Sequence, residues 1–149
     1  MKTLILIISI FIITSCSDDD DKSTTQNTSI SFTEIGKSNL TGNGAEGISQ
    51  SNMVITNSGD WQNLMTQMNS VNMVTNEFSD TNVDFSSYTV IAVFLEVKTS
   101  GWQVEISDII ENEKNIVVSK KEEEGINSVI TQPFHIVKIP VTSKPIIFE

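Results

Sequence analysis

One cysteine, one histidine and no arginine occur among the 149 residues. A disulfide needs two cysteines, so the chain cannot form an internal one. Structural zinc needs a cluster of Cys and His ligands, and one residue of each type cannot build it. Phosphates and nucleic acids are usually held by basic clusters and arginine forks. The chain sets 9 lysines against 19 acidic residues, for a net charge of −10. Nucleic acid is therefore not expected as a partner. Nucleophilic catalysis needs a nucleophile beside a base. His135 is the lone imidazole, and no Gly-x-Ser-x-Gly elbow, His-Glu-x-x-His helix or Gly-rich phosphate loop occurs. Carboxylates are abundant, but nothing in their spacing positions a glycosidase pair. The expectation is a protein that is not an enzyme and takes neither metal nor cofactor.

What is present begins at the N-terminus. Lys2 precedes an apolar run over residues 4–13, LILIISIFII, broken only by Ser9. Ten helical residues rise about 15 Å, half the depth of a bilayer core. The run therefore reads as the hydrophobic stretch of a signal peptide and not as a membrane span. Ile13-Thr14-Ser15-Cys16 follows directly. This segment resembles the lipobox of bacterial lipoprotein signal peptides: a branched apolar residue, two small residues, then cysteine. The resemblance implies lipid transfer to the Cys16 sulfur and cleavage before Cys16. The expected partners are the lipoprotein processing and sorting machinery, and the membrane through the lipid anchor. Several acyl chains make such attachment effectively permanent, where one chain gives only marginal binding.

Ser17, Asp18, Asp19, Asp20, Asp21 and Lys22 come next. This run resembles the acidic export signal behind the lipidated cysteine of surface-displayed lipoproteins of the Bacteroidota type. The resemblance implies an outer-membrane location, lipid-anchored, with display on the cell exterior. The plainer reading is a solvated acidic tether kept extended by like-charge repulsion. An EF-hand is not supported, because the spaced ligands and turn glycine are missing. Residues 23–29 are small and polar and suit a flexible tether.

Beyond the tether the pattern is that of one α+β domain. Ile30 and Phe32 alternate with polar residues, which predicts a first strand near 29–36. Residues 37–51 are rich in Gly, Ser and Asn, with a turn at Asn43-Gly44, and Met53 to Thr56 forms a short strand. Asn57 or Ser58 caps a helix over 58–69, with Asp60 at its positive end. Trp61, Leu64, Met65 and Met68 make one apolar stripe along it. Residues 69–83 are polar and read as irregular. Tyr88 to Leu95 is apolar on both faces, as a central strand is. Lys98 to Gly101 reads as a turn. Trp102, Val104 and Ile106 then alternate with polar residues as a hairpin partner to that strand. Ile116 and Val118 mark a further strand, Glu122 to Asn127 a charged loop, and Phe134 to Ile139 and Pro145 to Phe148 the last two strands.

Four of these segments carry a resemblance: GDWQNLM at 59–65, VDFSSYTVIAVFL at 83–95, KTSGWQVEI at 98–106 and TQPFHIVKIP at 131–140. In order and spacing they resemble the PrcB C-terminal domain family of protease-complex subunits. The family pattern reads Lys-Pro-Thr-Gly-Gly-Tyr where this chain has Lys98-Thr99-Ser100-Gly101-Trp102. No proline precedes Thr99, Ser100 replaces a glycine and Trp102 replaces a tyrosine. The resemblance implies a non-catalytic accessory or protein-binding module that stabilises a protease complex, with an envelope protease as partner. The turn Thr99, Ser100, Gly101, Trp102 is the candidate contact, because loops on rigid hairpins often carry binding. That turn also resembles the Thr-Thr-Gly-aromatic loop of chagasin-type cysteine-protease inhibitors, and Gln132-Pro133-Phe134 resembles their Pro-aromatic loop. Inhibition is therefore the rival reading.

The organisation expected is a signal peptide at 1–15, a lipidated Cys16 with export signal and tether over 16–28, and a domain over 29–149. The domain is mostly antiparallel β-sheet with the 58–69 helix packed on one face. The lipobox makes a direct prediction. Cys16→Ala abolishes acyl labelling and leaves unprocessed or soluble protein, as read by detergent-phase partitioning. Equal partitioning of mutant and parent would contradict it.

Overall fold

A computed structural model describes residues 27–126 and 128–149. The signal segment, Cys16, the acidic run at 17–21 and all but the end of the tether lie outside the described residues. The domain is α+β, mostly antiparallel, as the sequence pattern predicts. Its strands are β1 (Thr28–Ser29), β2 (Thr33–Leu40), β3 (Ser51–Ile55), β4 (Tyr88–Phe94), β5 (Gln103–Glu111), β6 (Ile116–Glu123), β7 (Gln132–Pro140) and β8 (Ile146–Phe148). The helix is α1 (Ser58–Met68), and a 3-10 turn covers Val74–Glu77.

The strands form two sheets of four, where the sequence pattern suggested one. The orders are β2-β7-β4-β3 and β1-β5-β6-β8. All pairings are antiparallel except β6 with β8. Three layers result. In β4, Val90, Ala92 and Phe94 join a core beneath α1, together with Trp61, Leu64, Met65 and Met68. Ile91, Val93 and Leu95 point the other way, into a second core with Val104, Ile106, Ile109, Ile116 and Val118. β7 divides likewise, with Phe134 and Ile136 in the first core and Val137 and Ile139 in the second. The β2-β7-β4-β3 sheet is thus the middle layer. A strand buried on both faces must be apolar throughout, which is why Tyr88 to Leu95 shows no alternation.

Four boundaries differ from the sequence reading. The first strand is split, because β1 pairs with β5 while β2 pairs with β7. Ile30, Ser31 and Phe32 carry the chain from one sheet to the other. β5 is not a hairpin partner of β4; the turn after β4 delivers the chain to the other sheet. Turn chemistry reads the same in both cases, so local pattern cannot choose between them. β6 runs on to Glu123, which takes Glu122 and Glu123 out of the expected loop. The alternation in β5 changes phase, with Val104 and Ile106 buried and then Ile109. A bulge between Ile106 and Asp108 supplies the extra residue.

The helix stands as its sequence requires. Asn57 is extended, and its side chain accepts the Asp60 N–H at 2.9 Å. Trp61, Leu64, Met65 and Met68 are all buried. Trp61 Nε1 donates to the Thr81 carbonyl at 3.0 Å, and its ring lies 6.0 Å from that of Phe78 in a stacked pair. Phe78 in turn presses on Gly36, where a Cβ would sit 2.6 Å from the ring. Helix, 3-10 turn and β2 therefore lock on one aromatic stack. The Gly-rich loop after β2 turns through Asn43 and Gly44, both at positive φ, and Glu46 Oε1 accepts the Gly42 N–H at 2.8 Å. The stack generates a prediction. Trp61→Ala lowers unfolding free energy by about 3–5 kcal/mol. Trp61→Phe, which loses only the Thr81 hydrogen bond and part of the ring, costs less. Urea denaturation followed by circular dichroism checks the order.

Candidate functional site

The turn Thr99–Trp102 lies at the end of the domain where the chain leaves β4 for β5. Ser100 has φ 80° and Gly101 φ 62°. Gly101 adopts this region freely, whereas a side-chain residue at Ser100 stores strain there. Ser100 is the position at which the chain lacks the family pattern's glycine.

The strain is held by contacts on three sides. Lys98 pairs with Thr131 in both directions, at 2.8 and 2.9 Å, and the Gly101 N–H reaches the Val129 carbonyl at 3.3 Å. Gly125 packs so closely that a Cβ on it would sit 2.4 Å from the Gly101 carbonyl oxygen and 2.8 Å from that of Ser100. Only glycine fits there. Lys98 Nζ lies 4.0 Å from the centre of the Trp102 ring. It also stands 3.6 Å from Glu96 and 3.8 Å from Glu122, which itself pairs with Lys120. Trp102 is half-buried under this cation and Thr99 is exposed. Trp102 thus packs only in part, while Trp61 is fully in the core.

Around the turn the surface is apolar with an acidic fringe. Val97, Ile126, Val129 and Ile130 are 40%, 100%, 49% and 48% exposed. Each is at, or next in sequence to, a residue whose backbone touches or forms the turn. Glu123 and Glu124 supply negative charge at the same end, where Glu96 and Glu122 are paired with Lys98 and Lys120. Gln132-Pro133-Phe134, the other segment resembling an inhibitor loop, is buried at the start of β7. It is not a second loop beside the turn. Gln132 Nε2 instead donates to Ile48 and Leu95 carbonyls at 2.8 and 2.9 Å.

His135 proves to be a junction between the sheets, a role with no signal in the sequence beyond its place in an alternating strand. It shares a β7 face with Val137 and Ile139 and is 2% exposed. Its Nδ1 accepts the Ile106 N–H at 2.7 Å, which fixes the ring proton on Nε2, 3.2 Å from Glu34 Oε2. The Lys37–Glu105 pair, at 3.1 Å, crosses the same seam. Glu105 lies below the usual carboxylate range, because Lys37 bonds to and faces it. Both nitrogens of the imidazole are engaged by these contacts. Among the described residues no three His, Cys, Asp or Glu side chains gather to hold a metal.

Comparison of the chain with family models, with curated proteins and with solved structures finds no match.

The seam sets a pH dependence. Burial holds His135 below its ordinary value of 6.5, against the opposing pull of Glu34. Protonation would also place an Nδ1–H against the Ile106 N–H. With a folded-state value below the unfolded one, the unfolded chain binds more protons in the interval between them. Stability from this group is full above about pH 6.5 and is lost as pH falls toward the folded value. The urea midpoint therefore drops between about pH 7 and pH 5, above the range where carboxylates titrate. His135→Gln, which can still accept the Ile106 N–H, flattens that drop. An equal slope in the variant would contradict the assignment.

Proposed function

We propose that this chain is an envelope-anchored lipoprotein whose domain is a non-catalytic accessory module, binding another protein through the Thr99–Trp102 end. The observation that carries the reading is the strained turn clamped at Lys98, Gly101 and Gly125, with four exposed aliphatic residues beside it. Strain is retained where surrounding structure over-determines it, and such places cluster at ligand clamps. Exposed apolar residues rimmed by charge mark contact surfaces more often than isolated ones do. The acidic fringe favours a partner with a basic rim and repels a negatively charged one. The resemblance of residues 13–16 to a lipobox and of the acidic run to an export signal supports an outer-membrane location, with an envelope protease as the partner the family resemblance suggests. The inhibitor reading now rests on one loop, since Gln132-Pro133-Phe134 is inside the β7 ladder.

The test is co-purification from native envelopes after crosslinking. A specific protein accompanies the parent and is lost in Thr99→Arg and in Gly101→Val. Thr99 is exposed, so Thr99→Arg changes stability by no more than about 0.5 kcal/mol, which thermal melting verifies. The same protein inhibits no member of a cysteine-protease panel. Tight block of a papain-like protease, relieved by Thr99→Arg, would replace this reading with the inhibitor one.

A further inference from the structure

Two strand edges face each other beside the Thr99–Trp102 end without pairing. β2 is the edge of the middle sheet, and among the described residues no strand pairs with the Gln103–Ile106 half of β5 on the side away from β6, because β1 pairs only at Ile110 and Glu111. The direction of their backbone groups follows from three contacts. Pro133 gives its carbonyl to the Leu95 N–H at 3.0 Å, on the β4 side. Its partner across β2 is Asn39, so that pair exchanges no hydrogen bonds. The N–H and C=O of Asn39 therefore point away from β7, and two residues back those of Lys37 do the same. On β5, the Ile106 N–H turns away from β6 to reach His135. Val104, two residues earlier, turns its backbone groups to the same side.

Between these edges lies a cleft of about 270 Å³, lined by Lys37, Ser38, Asn39, Gln103 and Val104. The Lys37–Glu105 pair bridges it on the side toward His135. The Asn39 side-chain oxygen is buried with no hydrogen-bond partner among the described residues. At Glu34 and Ile35 the β2 carbonyls are already taken by Ser79, through its hydroxyl at 2.6 Å and its N–H at 2.9 Å. The open stretch of edge is therefore confined to the cleft.

We propose that this cleft takes an extended segment of another polypeptide, added as a strand between β2 and β5. The inference rests on the protein-binding reading above and narrows the partner to one offering an extended segment. Alternating donors and acceptors on both walls match a main chain. The low volume suits a short run of backbone, entering at the Asn39 and Gln103 end. Thr28 lies opposite Glu111, at the end of β5 away from the cleft.

The test uses the full lipoprotein in detergent and an array of random twelve-residue peptides. The parent binds a subset of them. N-methylation of alternate peptide amides removes main-chain donors and abolishes binding, and equal binding of the methylated forms overturns the proposal. Asn39→Pro removes an N–H that faces away from β7, at an edge position where proline is tolerated. It weakens binding about tenfold, as loss of a main-chain hydrogen bond does. Should Asn39→Pro fail to fold, the methylated peptides decide alone. Absence of any peptide binding overturns the proposal. So does concentration-dependent dimerisation abolished by Asn39→Pro, which would make a second copy the occupant. A partner that co-purifies with Asn39→Pro but not with Gly101→Val leaves the turn reading standing and removes this one.

Discussion

The double burial of β4 and β7 organises the domain. Their side chains alternate between a core shared with α1 and a core shared with the second sheet, so each strand must be apolar on both faces and correctly registered with both neighbours. A slip of one residue would exchange the two sets, sending Phe94 and Phe134 toward β5 and His135 toward Trp61. Proline at the start of β7 is compatible with this, because Pro133 still gives its carbonyl to Leu95. The middle sheet depends on hydrophobic burial from both sides, and the outer layers depend on the middle sheet for theirs.

Where the two sheets come together at β2 and β5, backbone pairing stops and side chains take over. The His135 imidazole reaches from β7 to a β5 amide, and Lys37 meets Glu105 across the same seam. A buried backbone N–H without a partner is costly, so an acceptor inside the apolar second core is required where the Ile106 N–H turns away from β6 and has no ladder to join. This accounts for a buried histidine in the second core. It also explains why acid is expected to act on the seam, while the turn clamp is built from amides and glycine contacts.

Much of this was legible residue by residue. The Trp61, Leu64, Met65, Met68 stripe and the Asn57 cap specified α1, because helix periodicity and capping are local. Tyr88 to Leu95 announced a strand buried on both faces, and Asn43-Gly44 a turn. What was not legible was partnership. Nothing in Gln103 to Glu111 distinguishes a strand that folds back on β4 from one that crosses to another sheet, since the alternating pattern is the same. The phase change at Ser107 is a bulge only when β6 is alongside, and the parallel pairing of β8 depends on sequence-distant Ile116 to Val118. At the candidate site, the residue types of Lys98 to Gly101 pointed to a turn. The clamp came from Val129, Thr131 and Gly125, which are remote in sequence. Gly125 fell inside the charged loop expected over Glu122 to Asn127, and its missing side chain is what lets the loop after β6 lie against Ser100 and Gly101.

The placement of β1 has a mechanical consequence. Thr28 and Ser29 join the Glu111 end of β5, and Trp102 stands just before its Gln103 end. A pulling force that enters from the N-terminal side and leaves through the turn is carried along β5, a nine-residue strand about 30 Å long. The short pairing between β1 and β5 is then loaded in shear, with its hydrogen bonds sharing the force, and is not peeled open one bond at a time. A two-residue strand that looks negligible in the topology thus selects the direction in which the domain resists being pulled apart.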